Sequence, residues 1–386
     1  MLTSTKELSA VVKQLALETG FDQVGITRPE FVKEAETHLQ KWIQEGRHGE
    51  MKYLEDYELR RERFLRDFPD AKSILVLGVN YFSKSEQDES DGRHQNGIEW
   101  VPRGLVARYA RGRDYHLVIR HKHEILQAKL QKVLGREVRV ESCIDTKPIP
   151  ERHAALKAGL GFFGKNTMLL SQKFGPWLFL SEMVTNLELE EDRAAEGDCG
   201  TCTHCQRVCP TGALDEDYRI DARLCIAYLT IEHKGVIPRA LRPKIKDWVF
   251  GCDECLTICP FTSKQKESQN RELSPTAGVG ARLDFDALFS LRSNRAYQKK
   301  YAGTALLRAN RKQMLRNACI VLGNSGRAEA IPYLQRALQD KASLVRLHAA
   351  WGLGRLNFPE AQAVLKNRLS QESDPAVIQE IQEALF

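Results

Sequence analysis

The chain has 386 residues, 42% hydrophobic and 28% charged, with a formal net charge of +6. This is the composition of an ordinary globular protein and excludes a collagen-like or disordered chain; at roughly 100–200 residues per domain, two or three domains are expected. No apolar run approaches the roughly 18 residues that span a bilayer, and MLTSTKELSAVVKQL lacks the apolar core, twin arginine and cleavage site of an export signal, so no membrane contact and a cytoplasmic location are expected.

In chain order, Ser4-Thr5-Lys6-Glu7 can form a capping box that opens a helix ending at Gly20, and 31–45 reads as a second helix. SILVLGVNYF (73–82) is an apolar, β-rich run and reads as a buried strand; the polar stretch 83–104 reads as a loop. Asp114 can cap a long helix to Leu134, stopped by Gly135. REVRVESCID alternates with period two, as a half-buried strand does. A helix over Ile149–Ala158 ends at Gly159, and TMLL and PWLFLSEMVTN read as two strands joined through KFGP. Residues 1–190 thus form a mixed α/β ligand-binding domain. No GxGxxG opening follows a strand, so a dinucleotide site is unsupported.

From about 191 to 265 cysteine, proline and short segments dominate, and the polar, Ser-, Gly- and Pro-containing stretch that follows opens a basic linker over 266–310. Residues 311–386 hold an internal repeat. NACIVLGNSGRAEAIPYLQRAL (317–338) aligns with HAAWGLGRLNFPEAQAVLKNRL (348–369) at an offset of 31 residues, and DPAVIQEIQEAL begins a third unit. Paired helices with small residues at the packing face resemble compact HEAT-type repeats, whose usual period is about 40–47. So few units bury little alone and are expected to dock on the rest of the protein.

Eight of the ten cysteines lie between 199 and 259. Clustered cysteines in a reducing compartment point to metal rather than disulfides, and Cys143 and Cys319, standing apart, read as inert buried thiols. CGTCTHCQRVCP is C-x2-C-x2-C-x3-C-P, poor zinc spacing but the bacterial ferredoxin pattern for [4Fe–4S] ligation. In two-cluster ferredoxins the cysteine before proline ligates the other cluster. Cys199, Cys202, Cys205 and Cys259 therefore form one set. Cys209, Cys252 and Cys255 belong to the other, with Cys225 as the natural fourth ligand.

In the N-terminal domain Asp145 ends a strand, where functional side chains project, and Gly159, Gly161 and Gly164 permit close backbone approach to a ligand. Glu151, in the first turn of its helix, is accounted for by the helix dipole.

DTKPIPERHAALKAGLGFFGKNTMLL (145–170), RYARGRDYH (108–116), CIAYLTIEHKG (225–235) and FGCDECLTICP (250–260) together resemble the epoxyqueuosine reductase family across essentially the whole chain. The family motif often reads DTGP, and Lys147 replaces the glycine here. The resemblance implies an α+β multidomain protein: an N-terminal α/β cobalamin-binding domain of nitroreductase-like fold, a ferredoxin-like domain with two [4Fe–4S] clusters, and C-terminal α-helical HEAT-like repeats. It implies reduction of epoxyqueuosine to queuosine at the wobble position of the tRNAs for Asp, Asn, His and Tyr, with cobalamin fed by the clusters. Asp145 is then the expected general acid, and Arg108, Tyr109, Lys165, Asn166 and Thr167 the expected cobalamin contacts beside it. Asp114-Tyr115-His116 begins the D-x-H-x-x-G cobalt-ligand pattern, but Ile119 stands at the glycine, so His116 is not expected on cobalt.

No acidic residue lies between Asp286 and Glu329, an interval holding Arg292, Arg295, Lys299, Lys300, Arg308, Arg311, Lys312 and Arg316; Lys234 lies in a second acid-free stretch, 233–246. These are the expected phosphate contacts to a tRNA anticodon stem-loop, with Tyr297 and Tyr301 available either for stacking or for core packing. A low-potential donor such as a ferredoxin, flavodoxin or their reductase is the expected electron source, and a monomer the expected state. A cobalamin-dependent reductive dehalogenase and a zinc-stabilised RNA-binding protein are the competing readings.

Overall fold

The structure, a computed structural model, describes residues 4–30, 33–84 and 100–386. The start of the expected second helix and most of the 83–104 loop lie outside the described residues. The chain divides into two compact units, residues 1–83, 112–222 and 254–277 in the first and 84–111, 223–253 and 278–386 in the second. The cysteine-rich region therefore contributes to both.

In the first unit, the first helix, Thr5–Glu18, opens in the expected capping box: Ser4 Oγ accepts from Glu7 N at 3.2 Å and Glu7 Oε2 accepts from Ser4 N at 3.3 Å. Four antiparallel strands lie in the order Gln23–Thr27, Ser73–Asn80, Leu178–Thr185, Val140–Cys143. All eight residues of Ser73–Asn80 are buried, as an inner strand covered on both faces requires, and its sequence is apolar rather than alternating for that reason. Along Leu178–Thr185 successive side chains point to opposite faces of the sheet. Phe179 stacks on Tyr115 of the helix Tyr115–Leu134 at 4.5 Å, and Ser181 Oγ lies 3.0 Å from Nε2 of His123 on the same helix. On the opposite face Leu180 and Val184 pack with Ala154, Ala155 and Ala158 in and beside the helix Glu151–Lys157. Burial pushes the His123 pKa down to about 3, so this is a neutral core imidazole.

The long helix begins at the expected cap, Asp114, and ends at Gly135 in the left-handed region. The expected strand over 136–145 shortens to Val140–Cys143, the residues that pair with Leu178–Thr185. TMLL supplies only Leu169–Leu170, paired with Phe162–Phe163. A Cβ at Gly25 would sit 2.0 Å from the Ala158 carbonyl oxygen, so only glycine lets the edge strand meet the end of the helix Glu151–Lys157.

In the second unit, Arg103–Val106 runs parallel to Trp248–Phe250 and antiparallel to Arg282–Asp284. The expected basic linker over 266–310 is corrected here. Leu283, Phe285, Leu288, Tyr297, Tyr301 and Leu306 all enter one core with the repeat helices. Tyr297 and Tyr301 are 0% and 4% exposed, which settles them as core residues rather than stacking platforms. The repeat helices are Arg311–Asn324, Ile331–Ala337, Ser343–Leu356, Pro359–Leu369 and Pro375–Leu385. The 31-residue offset is visible as packing, since Ala318 and Ala349, Ala330 and Ala361, and Leu334 and Leu365 are all fully buried. A Cβ at Gly323 would lie 2.6 Å from Gly352 Cα, and one at Gly354 would lie 2.4 Å from Ala384 Cβ, so each repeat presses its glycine onto the next. No helix among the described residues is long and apolar enough to cross a membrane.

Arg316 is 0% exposed. Its guanidinium donates to the carbonyl oxygens of Leu229, His233 and Gly235 and to Asn317 Oδ1 at 2.7–3.0 Å. Asn317 Nδ2 in turn donates to Thr230 O at 2.8 Å and Val249 O at 2.9 Å. The expectation that Arg316 touches tRNA is thus corrected: it is the polar joint between the first repeat helix and the segments 229–235 and 248–250. Asn317→Ala should leave two carbonyls and the guanidinium short of partners, at a cost of about 2–4 kcal/mol. A lower urea midpoint for the full chain is the expected measurement.

Candidate active site and metal centres

Cys199, Cys202 and Cys205 line one cavity together with Cys259, and Lys165, Asn166, His204, Pro260 and Phe261 complete its wall. Three thiols come from the CxxCxxC run that enters the short helix His204–Val208; the fourth directly precedes Pro260, after the helix Glu254–Thr257. This is the crossed grouping expected from the ferredoxin pattern. Burial pushes the Cys205 and Cys259 thiols up, and neighbouring thiolates push the same way. Thiols pushed up in this way ionise only beside a compensating cation, so the chemistry of the donor set fits a metal cluster. The Lys165 backbone N–H points at Cys199 Sγ at 3.4 Å, and Asn166 Nδ2 donates to Cys255 O at 3.4 Å. Lys165 Nζ pairs with Asp217 at 3.0 Å.

Of the second set, Cys209 and Cys255 lie in the first unit, and Cys225 and Cys252 in the second. Cys209 Sγ accepts from Ala213 N at 3.3 Å, and Cys225 stands at the N-cap of the helix Ile226–Ile231. Cys252 follows Gly251, whose positive φ turns the chain out of the strand Trp248–Phe250. Cys143 and Cys319 are buried free thiols, as expected.

Asp145 follows the strand Val140–Cys143 with φ 54°, a left-handed backbone uncommon outside glycine. Its side chain is 64% exposed. The Tyr115 O–H donates to Asp145 Oδ2 at 2.8 Å, and Tyr115 is fixed between His116, stacked at 4.1 Å, and Phe179. His116 Nδ1 contacts Asp114 Oδ1 at 2.8 Å, and its Nε2 stands 4.0 Å from Asp145 Oδ2. Nδ1 is held by Asp114, and Nε2 faces Asp145 beyond hydrogen-bond distance, an arrangement compatible with a corrin held without a protein histidine. Lys147 has no left-handed backbone among the described residues and pairs with Glu141 at 2.8 Å, so lysine is accommodated where the family motif often has glycine.

Two acids stand behind Asp145. Glu151 Oε1 accepts the Asp145 N–H at 2.6 Å, a contact that adds to the dipole reading of this residue. Burial and then the Asp145 charge push its pKa up to about 8, against the lowering effect of that hydrogen bond. Glu182 is 0% exposed, and neither carboxyl oxygen has a hydrogen-bond partner among the described residues. Burial, then Glu151 and Asp145, hold its pKa well above the usual carboxylate range. Sequence reading missed Glu182 and Tyr115. The available signal for Glu182 was a carboxyl in the middle of a strand that is buried over most of its length.

The other expected contacts are dispersed. Arg108 and Tyr109 form a 3-10 turn of the second unit, where Arg108 N donates to Asp253 at 2.6 Å. Thr167 has φ 65° and its carbonyl accepts from Arg152 Nη1. Of the basic residues, Lys234, Arg292, Arg295, Lys299, Lys300 and Lys312 are exposed. Arg308 is exposed and paired with Glu232 at 2.7 Å, whereas Arg311 is held by Asp340 and the Leu291 carbonyl.

Comparison with known proteins gives three family matches: a 4Fe-4S double cluster binding domain over residues 198–262, HEAT repeats over 303–385, and "Epoxyqueuosine reductase QueG, DUF1730" over 61–146. The double-cluster match sets the zinc reading aside. The epoxyqueuosine reductase of Xanthomonas campestris is 35% identical over 355 residues, covering 90% of this chain and 96% of that protein. A crystal structure of epoxyqueuosine reductase with an epoxyqueuosine-modified tRNA-Tyr stem loop aligns at TM-score 0.86 and 29% identity over 99% of both chains. The Bacillus subtilis enzyme, solved with a catalytic aspartate loop swung out of the active site, aligns with the same score, identity and coverage.

The crossed grouping predicts the iron content of cysteine variants. Cys199→Ala and Cys259→Ala should each lose about half the iron and sulfide, and their combination should lose no more, whereas Cys199→Ala with Cys209→Ala should lose nearly all. The buried acids predict a pH effect on stability. Above the ordinary carboxylate range the folded chain keeps protons that the unfolded chain releases, for Glu151 up to about pH 8 and for Glu182 in the same direction, so stability falls as pH rises through that range. Glu182→Gln should melt with wild type near pH 5 and above it at pH 8.5, by about 2–4 °C per kcal/mol recovered.

Proposed function

The chain belongs to the epoxyqueuosine reductase family, and from that premise we propose that it reduces the epoxide of epoxyqueuosine at the tRNA wobble position to the alkene of queuosine, with Asp145 as proton donor and two [4Fe–4S] clusters passing electrons to cobalamin. The observation that carries this reading is Asp145 itself, an exposed carboxyl aimed by the Tyr115 hydroxyl in a chain with a double-cluster domain.

Loss of the epoxide oxygen as water takes two electrons and two protons. An alkoxide is a poor leaving group, so a positioned acid accelerates its departure, typically 10²–10⁴-fold. Asp145 gives its proton to that oxygen, and the Tyr115 O–H then stabilises the carboxylate left behind. Its exposure lets solvent restore the proton. When bound, cobalamin would supply a low-valent cobalt that gathers electrons arriving singly. Asp145 and Thr167 of the first unit are assigned to hold it; Arg108 and Tyr109, expected beside them, belong to the second unit, and Lys165 and Asn166 border the first cysteine set. The exposed Lys234, Arg292, Arg295, Lys299, Lys300 and Lys312 are assigned to the phosphates of the anticodon stem-loop, with Arg308 and Arg311 contributing once freed from their carboxylates. A ferredoxin, flavodoxin or their reductase fits as electron donor to a monomer.

Protein reconstituted with both cofactors and given a low-potential reductant should remove one oxygen from epoxyqueuosine in tRNA, read by nucleoside mass spectrometry. Asp145→Asn should keep its clusters and cobalamin yet lose at least about a hundredfold in rate. An unchanged nucleoside with cofactors verified would refute the assignment. Lys299→Ala with Lys300→Ala should weaken tRNA binding and reduce the slope of log K against log salt by about 1.5–2.

A further inference from the structure

Asp145 occupies a left-handed backbone conformation that is costly for any residue bearing a Cβ. At φ 54° it needs outside support, and such conformations persist only where the surroundings over-determine them. The contact that holds the Asp145 amide is the carboxyl of Glu151, at 2.6 Å. Glu151 is the first residue of the helix Glu151–Lys157 and follows Pro150, which restricts the entry to that helix. The helix packs its alanines on the sheet, so the acceptor is carried on a rigid element rather than on the turn it restrains. Beneath it, Glu182 is sealed in the sheet opposite Cys143, two residues before Asp145. An acid left there without a hydrogen-bond partner has no structural use of its own, since an apolar residue would pack at lower cost.

We infer that Glu151 is a positioning residue for the reaction: its carboxyl clasps the Asp145 amide and fixes the left-handed turn that presents the Asp145 carboxyl to the substrate. This rests on the reading of Asp145 as proton donor. The clasp needs an acceptor oxygen at this place, not a negative charge. Gln at 151 therefore preserves it, and residues without an acceptor do not. An error of about 1 Å in such a group can cost a hundredfold in rate.

The clasp can be read without turnover. Amide hydrogen exchange, followed by mass spectrometry on the full-length protein with its clusters, should show peptides spanning 143–150 exchanging at least about tenfold faster in Glu151→Ala than in wild type. Glu151→Gln should stay within about threefold, and peptides from the sheet strands should be unaltered in both. In turnover, Glu151→Ala should lower kcat about ten- to a hundredfold with KM for tRNA within about twofold, and Glu151→Gln should recover kcat to within about fivefold. Should Glu151→Ala fail to fold, Glu151→Met keeps the bulk, lacks the oxygen and reads the same contrast. Wild-type exchange at 143–150 in the variants lacking an acceptor would overturn the clasp, whatever Asp145 does. Faster exchange with undiminished kcat would retain the clasp as structure and remove its role in the reaction. Full activity in Asp145→Asn would instead remove the premise and leave the exchange result standing.

Discussion

The convergence of four thiols on one cavity is the constraint on which the first unit depends. Cys199, Cys202 and Cys205 arrive on one short segment and Cys259 on another, more than forty residues later in the chain. No disulfide ties the two segments, and Phe261, just after the second, packs on Phe162 of the hairpin rather than on the first. Metal binding is therefore a folding contribution as well as a redox one, because a site assembled only in the native state adds its binding free energy to stability. The crossing follows from Pro260, which begins the next 3-10 turn and leaves Cys259 extended at its mouth.

The same constraint explains why the compact units disagree with the linear segments. A boundary near residue 191 is natural in composition, since cysteine and proline become frequent there. In three dimensions 112–222 and 254–277 form one unit with the N-terminal sheet, because the hairpin loop Gly164–Asn166 borders the cysteine cavity and Trp177 Nε1 donates to Thr262 Oγ1 at 3.2 Å. The segment 223–253 instead joins the repeats, through Arg316 and Asn317.

What was legible in the sequence was local. The capping box at Ser4, the Asp114 cap, the Gly135 stop, the cysteine spacing and the 31-residue repeat each rest on residues close in the chain, and each is found in place. What failed required knowing which face turns inward. Arg316 and Arg295 look alike in a run without acids, yet Arg316 is sealed among carbonyls while Arg295 is in solvent. The stretch 266–310 read as a linker because a window average mixes exposed lysines with Phe285, Leu288 and Tyr297, which are buried at helical spacing. Glu151 was visible as a favourable charge at a helix start, but its partner is a backbone amide six residues earlier, held by a turn that no propensity announces.

These contacts join the acid to the metal through a short run of the chain. The Asp145 amide is held by Glu151. The next residue, Arg152, donates from Nη1 to the Thr167 carbonyl, Asn166 Oδ1 accepts from Met168 N at 3.2 Å, and the Lys165 amide points at Cys199 Sγ. Every link except the last lies between residues 145 and 168, on one seven-residue helix and one hairpin. Shortness is the physical point, because few linked contacts separate the Asp145 turn from the cysteine cavity and positional error has little room to accumulate. The two left-handed non-glycine residues of this run, Asp145 and Thr167, stand at its two bends. Both are restrained by the helix Glu151–Lys157, one through a side chain that accepts and the other through a side chain that donates. One helix thus restrains both the Asp145 turn and the loop that borders the cysteine cavity.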